Sequence, residues 1–98
     1  MQKKVRLKEK EIKTIKEAIF KYDPLAEIIL FGSRADPSKK GGDIDLLVIS
    51  RKIGYQQRRK IRVELLKKLG ERKIDLLVVK DPKETTFCEL AYKYGVRL

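Results

Sequence analysis

Two six-residue runs in this chain, Ile44-Asp45-Leu46-Leu47-Val48-Ile49 and Ile74-Asp75-Leu76-Leu77-Val78-Val79, repeat one another almost letter for letter. Apolar runs of this length, bounded by turn-forming residues, read as strands. The echo is too short for a repeat architecture and fits two central strands of one sheet with similar environments. Successive side chains of a strand point to opposite faces, so Asp43 and Asp45 share one face while Ile44 enters the other layer. If the two runs are neighbours, Asp75 joins that pair.

Unit charges ~4 Å apart repel by roughly 4 kcal/mol at an effective dielectric of 20, so three clustered carboxylates need protons or cations. Hard oxygen donors suit magnesium or manganese rather than zinc, and a two-ion site assists in-line phosphoryl or nucleotidyl displacement. Upstream, Phe31-Gly32-Ser33-Arg34 closes a shorter apolar run, Glu27-Ile28-Ile29-Leu30-Phe31, and nine residues separate Ser33 from Asp43. Gly32 lets the backbone approach a ligand, Ser33 offers a hydroxyl, and Arg34 adds a charged contact to an anion. Taken singly, each acid is explained by a turn, a solvated face or a lysine partner. Taken with Gly32-Ser33 at this spacing, they suggest metal-assisted nucleotide chemistry.

The rest of the chain supplies helices around these strands. Ile12, Ile15, Ile19 and Phe20 recur at helical spacing between Val5 and Tyr22, and Asp23-Pro24 ends that helix. Gln56 to Leu69 places Ile61, Leu65, Leu66 and Leu69 on one face, and Gly70 is a C-cap. Its cluster Arg58-Arg59-Lys60-Arg62 is open between solvent, nucleic acid and an acidic partner. A strand over Lys73 to Lys80 stops at Asp81-Pro82, and Phe87, Leu90, Ala91 and Tyr94 predict a last short helix from Glu84 to Tyr94. Residues 36–42 are a loop by composition, with Lys39 and Lys40 near any bound triphosphate.

Length and composition narrow the alternatives. At 98 residues the expectation is one domain over 1–98, since smaller pieces would lack an adequate core. A formal charge of +11 favours encounter with polyanions such as nucleic acids, nucleotides or acidic proteins, or simply a lysine-rich solvated surface. There is no histidine, which removes His-based acid catalysis, His metal ligands and Ser-His-Asp triads. The lone Cys88 rules out an internal disulfide and reads as a small buried residue. No apolar run approaches the ~20 residues needed to cross a bilayer, and the expected location is the cytoplasm.

Gly32-Ser33, the spacer, Asp43-x-Asp45 and the later strand-borne Asp75 resemble the DNA polymerase β-type nucleotidyltransferases, and the short length resembles their minimal nucleotidyltransferase branch. The resemblance implies an α/β (α+β) fold with a small mixed sheet and helices packed mainly on one side. It also implies a nucleoside triphosphate donor, ATP foremost, and magnesium. By the same resemblance Asp43, Asp45 and Asp75 are catalytic carboxylates and metal ligands, and Gly32, Ser33 and Arg34 bind the nucleotide. The residue before the first acid is often Ser in minimal relatives; here it is Gly42.

Small members of this branch resemble antitoxins encoded beside HEPN-domain ribonuclease toxins, where the transferase places AMP on a toxin tyrosine. That implies a protein acceptor and an antitoxin role. Two other expectations stand beside it: a binding module that neutralises its partner by occlusion, and a basic nucleic-acid-binding domain, although no RRM, KH or zinc-finger pattern is present.

Overall fold

The computed structural model describes residues 7–32, 43–70 and 73–98. Its elements are α1 (Glu9–Phe20), β1 (Glu27–Phe31), β2 (Ile44–Ile49), α2 (Tyr55–Leu69), β3 (Ile74–Val79), α3 (Thr86–Tyr94) and β4 (Val96–Arg97). The strands lie in the order β3-β2-β1-β4. β1 pairs antiparallel with β2 and with β4, whereas β2 and β3 run parallel. The two echoing runs are therefore neighbours in one mixed sheet, and α2 is the crossover that parallel pairing requires.

Strand alternation sorts the core into two layers. On one face Ile28, Leu30, Ile44, Leu46, Val48, Ile74 and Leu76 pack with Ile15, Ala18 and Ile19 of α1 and Ile61 and Leu65 of α2. On the other, Ile29, Leu47 and Val79 meet Cys88 and Ala91 of α3. Two of the three helices thus share a face, as expected, and Cys88 is buried on the late helix.

Local chemistry sets the helix ends. Lys8 precedes α1, and the Glu11 carboxylate accepts from its backbone N–H at 2.8 Å, the reach-back half of a capping box. The expected start at Val5 lies outside the described residues. At α3 the Thr85 hydroxyl accepts from Cys88 N at 3.1 Å, and Asp81 Oδ1 takes Lys83 N at 2.8 Å. These local bonds hold 81–85 as a turn and cap, so α3 begins at Thr86 rather than Glu84. Gly70 caps α2 with φ +66°.

Two of the three α2 arginines, Arg58 and Arg62, are engaged rather than free on the surface. The carbonyls of Ile74 and Leu76 face the open edge of β3, where Arg62 Nε donates to Ile74 O at 3.1 Å and Arg58 Nη1 to Leu76 O at 3.4 Å. Such an edge is otherwise a template for pairing with another chain, and charged side chains are a common way of covering it. Arg59 and Lys60 remain exposed.

Asp23 does more than end a helix. It is buried at 4% exposure, accepts from the Ser50 hydroxyl at 2.6 Å and from Leu25 N at 3.0 Å, and so ties the α1–β1 turn to the end of β2. Ser50 Oγ in turn accepts from Lys52 N and Ile53 N, each at 3.1 Å. The Ser50 hydrogen bond holds the Asp23 carboxyl below its ordinary value of 3.8 against the opposing effect of burial. Ser50→Ala removes that donor and the acceptor for two backbone amides, and is expected to destabilise the chain by about 2–3 kcal/mol in urea unfolding. A depressed folded-state pKa contributes stability above the unfolded value and loses it as pH falls through the folded one. The gap between native and Ser50→Ala should therefore be constant near neutrality and shrink below about pH 4.

Candidate active site

β2 and β3 are paired so that Asp45 lies directly opposite Asp75. Both sit on the α3 side of the sheet, the face they share with Leu47 and Val79, while Ile44 and Ile74 enter the α1/α2 core. The antiparallel partner of Asp45 across β1 is Phe31, which puts Gly32 at the same end of the sheet. The carboxylates Asp45 and Asp75 and the turn at Gly32, singled out from spacing, thus converge at the β2 start.

The acid pair is electrostatically loaded. Burial, then a side-chain hydrogen bond with Asp75, then the charges of Asp75 and Asp43 push the Asp45 carboxyl up from 3.8 to about 6, opposed by Lys73. Two carboxylates that occupy one site disfavour a second charge there, and here it is Asp45 whose carboxyl is raised. Asp43 is held differently, with Lys73 Nζ 3.6 Å from its Oδ2. Sequence reasoning missed Lys73. The signal was present in the echo itself, because the residues preceding the two Ile-Asp steps are Asp43 and Lys73.

Gly32 is required by its contact with Asp45. Its φ is +76°, and a Cβ built there would lie 2.3 Å from Asp45 Oδ2. No side chain fits between this turn and the carboxylate. Ser33 and Arg34 lie outside the described residues, as do the lysines and glycines of 36–42.

Among the described residues, no three His, Cys, Asp or Glu side chains are already gathered as a metal cage. Asp45 and Asp75 nevertheless fit a hard divalent cation in chemistry: two carboxylates face one another in register, and the repulsion that pushes the Asp45 carboxyl up is one that a cation would relieve. Asp43 supplies a third carboxylate at the same strand end, presently engaged by Lys73. Among the described residues no helix is long and apolar enough to cross a membrane.

Tyr92 packs by its hydroxyl, which donates to Glu27 Oε1 at 3.2 Å. Tyr55 opens α2, exposed, with the Arg58 guanidinium 5.3 Å from its ring centroid.

No curated protein matches the chain. The family model described as polymerase beta, nucleotidyltransferase, matches residues 13–98, a span that takes in every strand, Gly32 and all three acids. With the turn, the paired carboxylates and the mixed sheet in one arrangement, the chain belongs to the polymerase beta nucleotidyltransferase family.

Proposed function

We propose that the chain transfers AMP from ATP to a hydroxyl of a partner protein, foremost a tyrosine of a HEPN-domain toxin, and so acts as an antitoxin. The family implies a nucleotide substrate and nucleotidyl transfer. The observation that carries the reading to these residues is the in-register facing of Asp45 and Asp75 at the sheet end that also holds Gly32, with the Asp45 carboxyl pushed up by burial and by its carboxylate neighbours.

Asp43, Asp45 and Asp75 would hold magnesium, two ions by the two-metal precedent or manganese in their place, and bound metal would neutralise charge developing on the triphosphate. Gly32, with Ser33 and Arg34 beyond it, grips the leaving phosphates. Asp75 orients the acceptor hydroxyl. Its oxygen bonds to the α-phosphorus as the bond from that phosphorus to the α,β-bridging oxygen breaks. Pyrophosphate leaves with the bonding electrons, and the hydroxyl proton passes to the carboxylate pair. The chain has no histidine, so that proton transfer falls to a carboxylate.

The test is transfer of label from α-phosphate-labelled ATP, with magnesium, to the protein encoded by the adjacent gene. Label is expected on the partner with the native chain, and none after chelation or with Asp43→Ala/Asp45→Ala. The Asp43–Lys73 ion pair favours a second reading, occlusion of the partner without chemistry. Unlabelled partner, bound and neutralised equally by both versions, would establish it.

A further inference from the structure

Three sides of α2 have packing duties. Ile61 and Leu65 enter the core shared with α1, Arg58 and Arg62 cover the β3 edge, and Glu64 takes Lys21 Nζ at 2.8 Å and Lys68 Nζ at 3.2 Å. The fourth side faces outward. There Tyr55, Arg59, Val63 and Lys67 recur at every fourth position, all exposed, and form one ridge about 18 Å long. Lys60 and Gln56 lie beside it and complete a shallow groove of about 620 Å³. The acid pair is across the sheet, on the α3 side.

The ridge is charged without an internal answer. Six cations and one acid, Glu64, fall on the 15 residues of α2. With Arg58, Arg62 and Lys68 engaged, Arg59, Lys60 and Lys67 have no acidic partner among the described residues. Like charges gathered on one face raise a positive potential that a polyanion relieves.

We propose that this ridge is a docking surface for single-stranded RNA, separate from the acid pair and independent of the transferase reading. Charge alone would serve an acidic protein equally well, and Tyr55 decides between them. Its side chain is 65% exposed, with the Arg58 and Arg59 guanidinium carbons 5.3 and 5.8 Å from the ring centroid. An aromatic ring beside guanidinium groups stacks an unpaired base. A carboxylate is repelled by the negative face of the same ring. A duplex keeps its bases stacked on one another and leaves the ring without a partner. Val63, 49% exposed between the cations, gives a ribose an apolar footing. Gln56 offers its amide to the 2′-hydroxyl, the group that distinguishes RNA from DNA.

The test is fluorescence anisotropy of a short labelled single-stranded RNA with the full chain, without ATP or magnesium, across a range of salt. The native chain should bind at about 50 mM salt and lose affinity steeply as salt rises. Arg59→Gln/Lys60→Gln/Lys67→Gln, at exposed positions, should bind more weakly and make the slope of log affinity against log salt less negative by about 2. Tyr55→Ala should raise the Kd about tenfold with the slope unchanged, and Tyr55→Phe should keep native affinity, which a merely structural role of the helix start would not produce. Asp43→Ala/Asp45→Ala should bind RNA as the native chain does. No binding by the native chain, or the same salt slope in the triple variant, would overturn the proposal. Loss of binding in the acid variant would move the RNA to the acid pair and overturn it too. A glutamate oligopeptide bound as tightly as the RNA, with the same loss in the triple variant, would assign the ridge to an acidic protein instead. Equal affinity for the matching deoxyribonucleotide strand would overturn the preference for RNA.

Discussion

Replacing Asp45 with asparagine will lower nucleotidyl transfer by about 10³-fold and yet raise the thermal stability of the metal-free chain near pH 8. The two effects have one cause. Asp45 titrates at about 6 rather than 3.8 because it is partly buried and faces Asp75 and Asp43. A raised folded-state pKa means that proton uptake stabilises the fold fully below the unfolded value and that this contribution is lost as pH rises through the folded one. Above 6 the native chain carries the repulsion, and asparagine carries none. Taken at full strength the displacement corresponds to roughly 3 kcal/mol. Asp45 is not fully buried, so solvent screening reduces it to about 1 kcal/mol. For a domain of this size that is about 4–8 °C in Tm. The advantage of Asp45→Asn should fade between about pH 6 and pH 4. Added magnesium should raise the Tm of the native chain and leave that of the variant nearly unmoved. Paired activity assays and melts at several pH values check all of this, and an activity loss with no pH-dependent gain in Tm would disprove the shared origin.

Gly32→Ala is the second large effect, and it acts by displacement rather than by charge. The new methyl group would need the space of Asp45 Oδ2, 2.3 Å away, at a φ of +76° that alanine adopts with strain. The backbone contribution is about 1 kcal/mol of stability. The catalytic loss should be larger, about 10²-fold in kcat, because a misplacement of ~1 Å in a positioned group is enough for that. Steady-state kinetics and a urea melt on the same preparation separate the two. An alanine variant with native kcat would mean that Asp45 is free to move, contrary to the close approach seen here.

The sheet was legible in the sequence wherever a strand had an apolar run long enough to show it. β1 spans the predicted Glu27–Phe31 and β2 the apolar run Ile44–Ile49, while β3 lies inside the predicted Lys73–Lys80 by a residue at each end. β4 was not legible, because Val96–Arg97 carries no periodicity and exists only through pairing with Ile29 and Leu30. The facing of Asp45 and Asp75 was readable because the echo fixes both register and face. The partner of Asp43 was not anticipated, since a lysine is an ordinary residue at a strand start. Asp23 read as a helix terminator because its turn chemistry is local, whereas its bond to Ser50 spans two strands and leaves no pattern in the chain. The roles of Arg58 and Arg62 were left open among solvent, nucleic acid and an acidic partner for a similar reason: nothing in a helical wheel reports which neighbouring carbonyls lack partners.

The parallel pairing of β2 with β3 also sets the order in which the site can be made during folding. β1 and β2 are antiparallel neighbours in sequence and can zip as a local unit. Asp75 reaches Asp45 only after α2 has been laid across the sheet, a long-range closure that is slower than hairpin formation. The last step brings like charges together, so it must be driven by Ile74 and Leu76 entering the core on the opposite face. Any species that has formed the hairpin but not the crossover lacks the facing acid pair. Magnesium should therefore leave the folding rate of the chain nearly unchanged and slow its unfolding, the kinetic signature of a ligand that recognises only the finished fold.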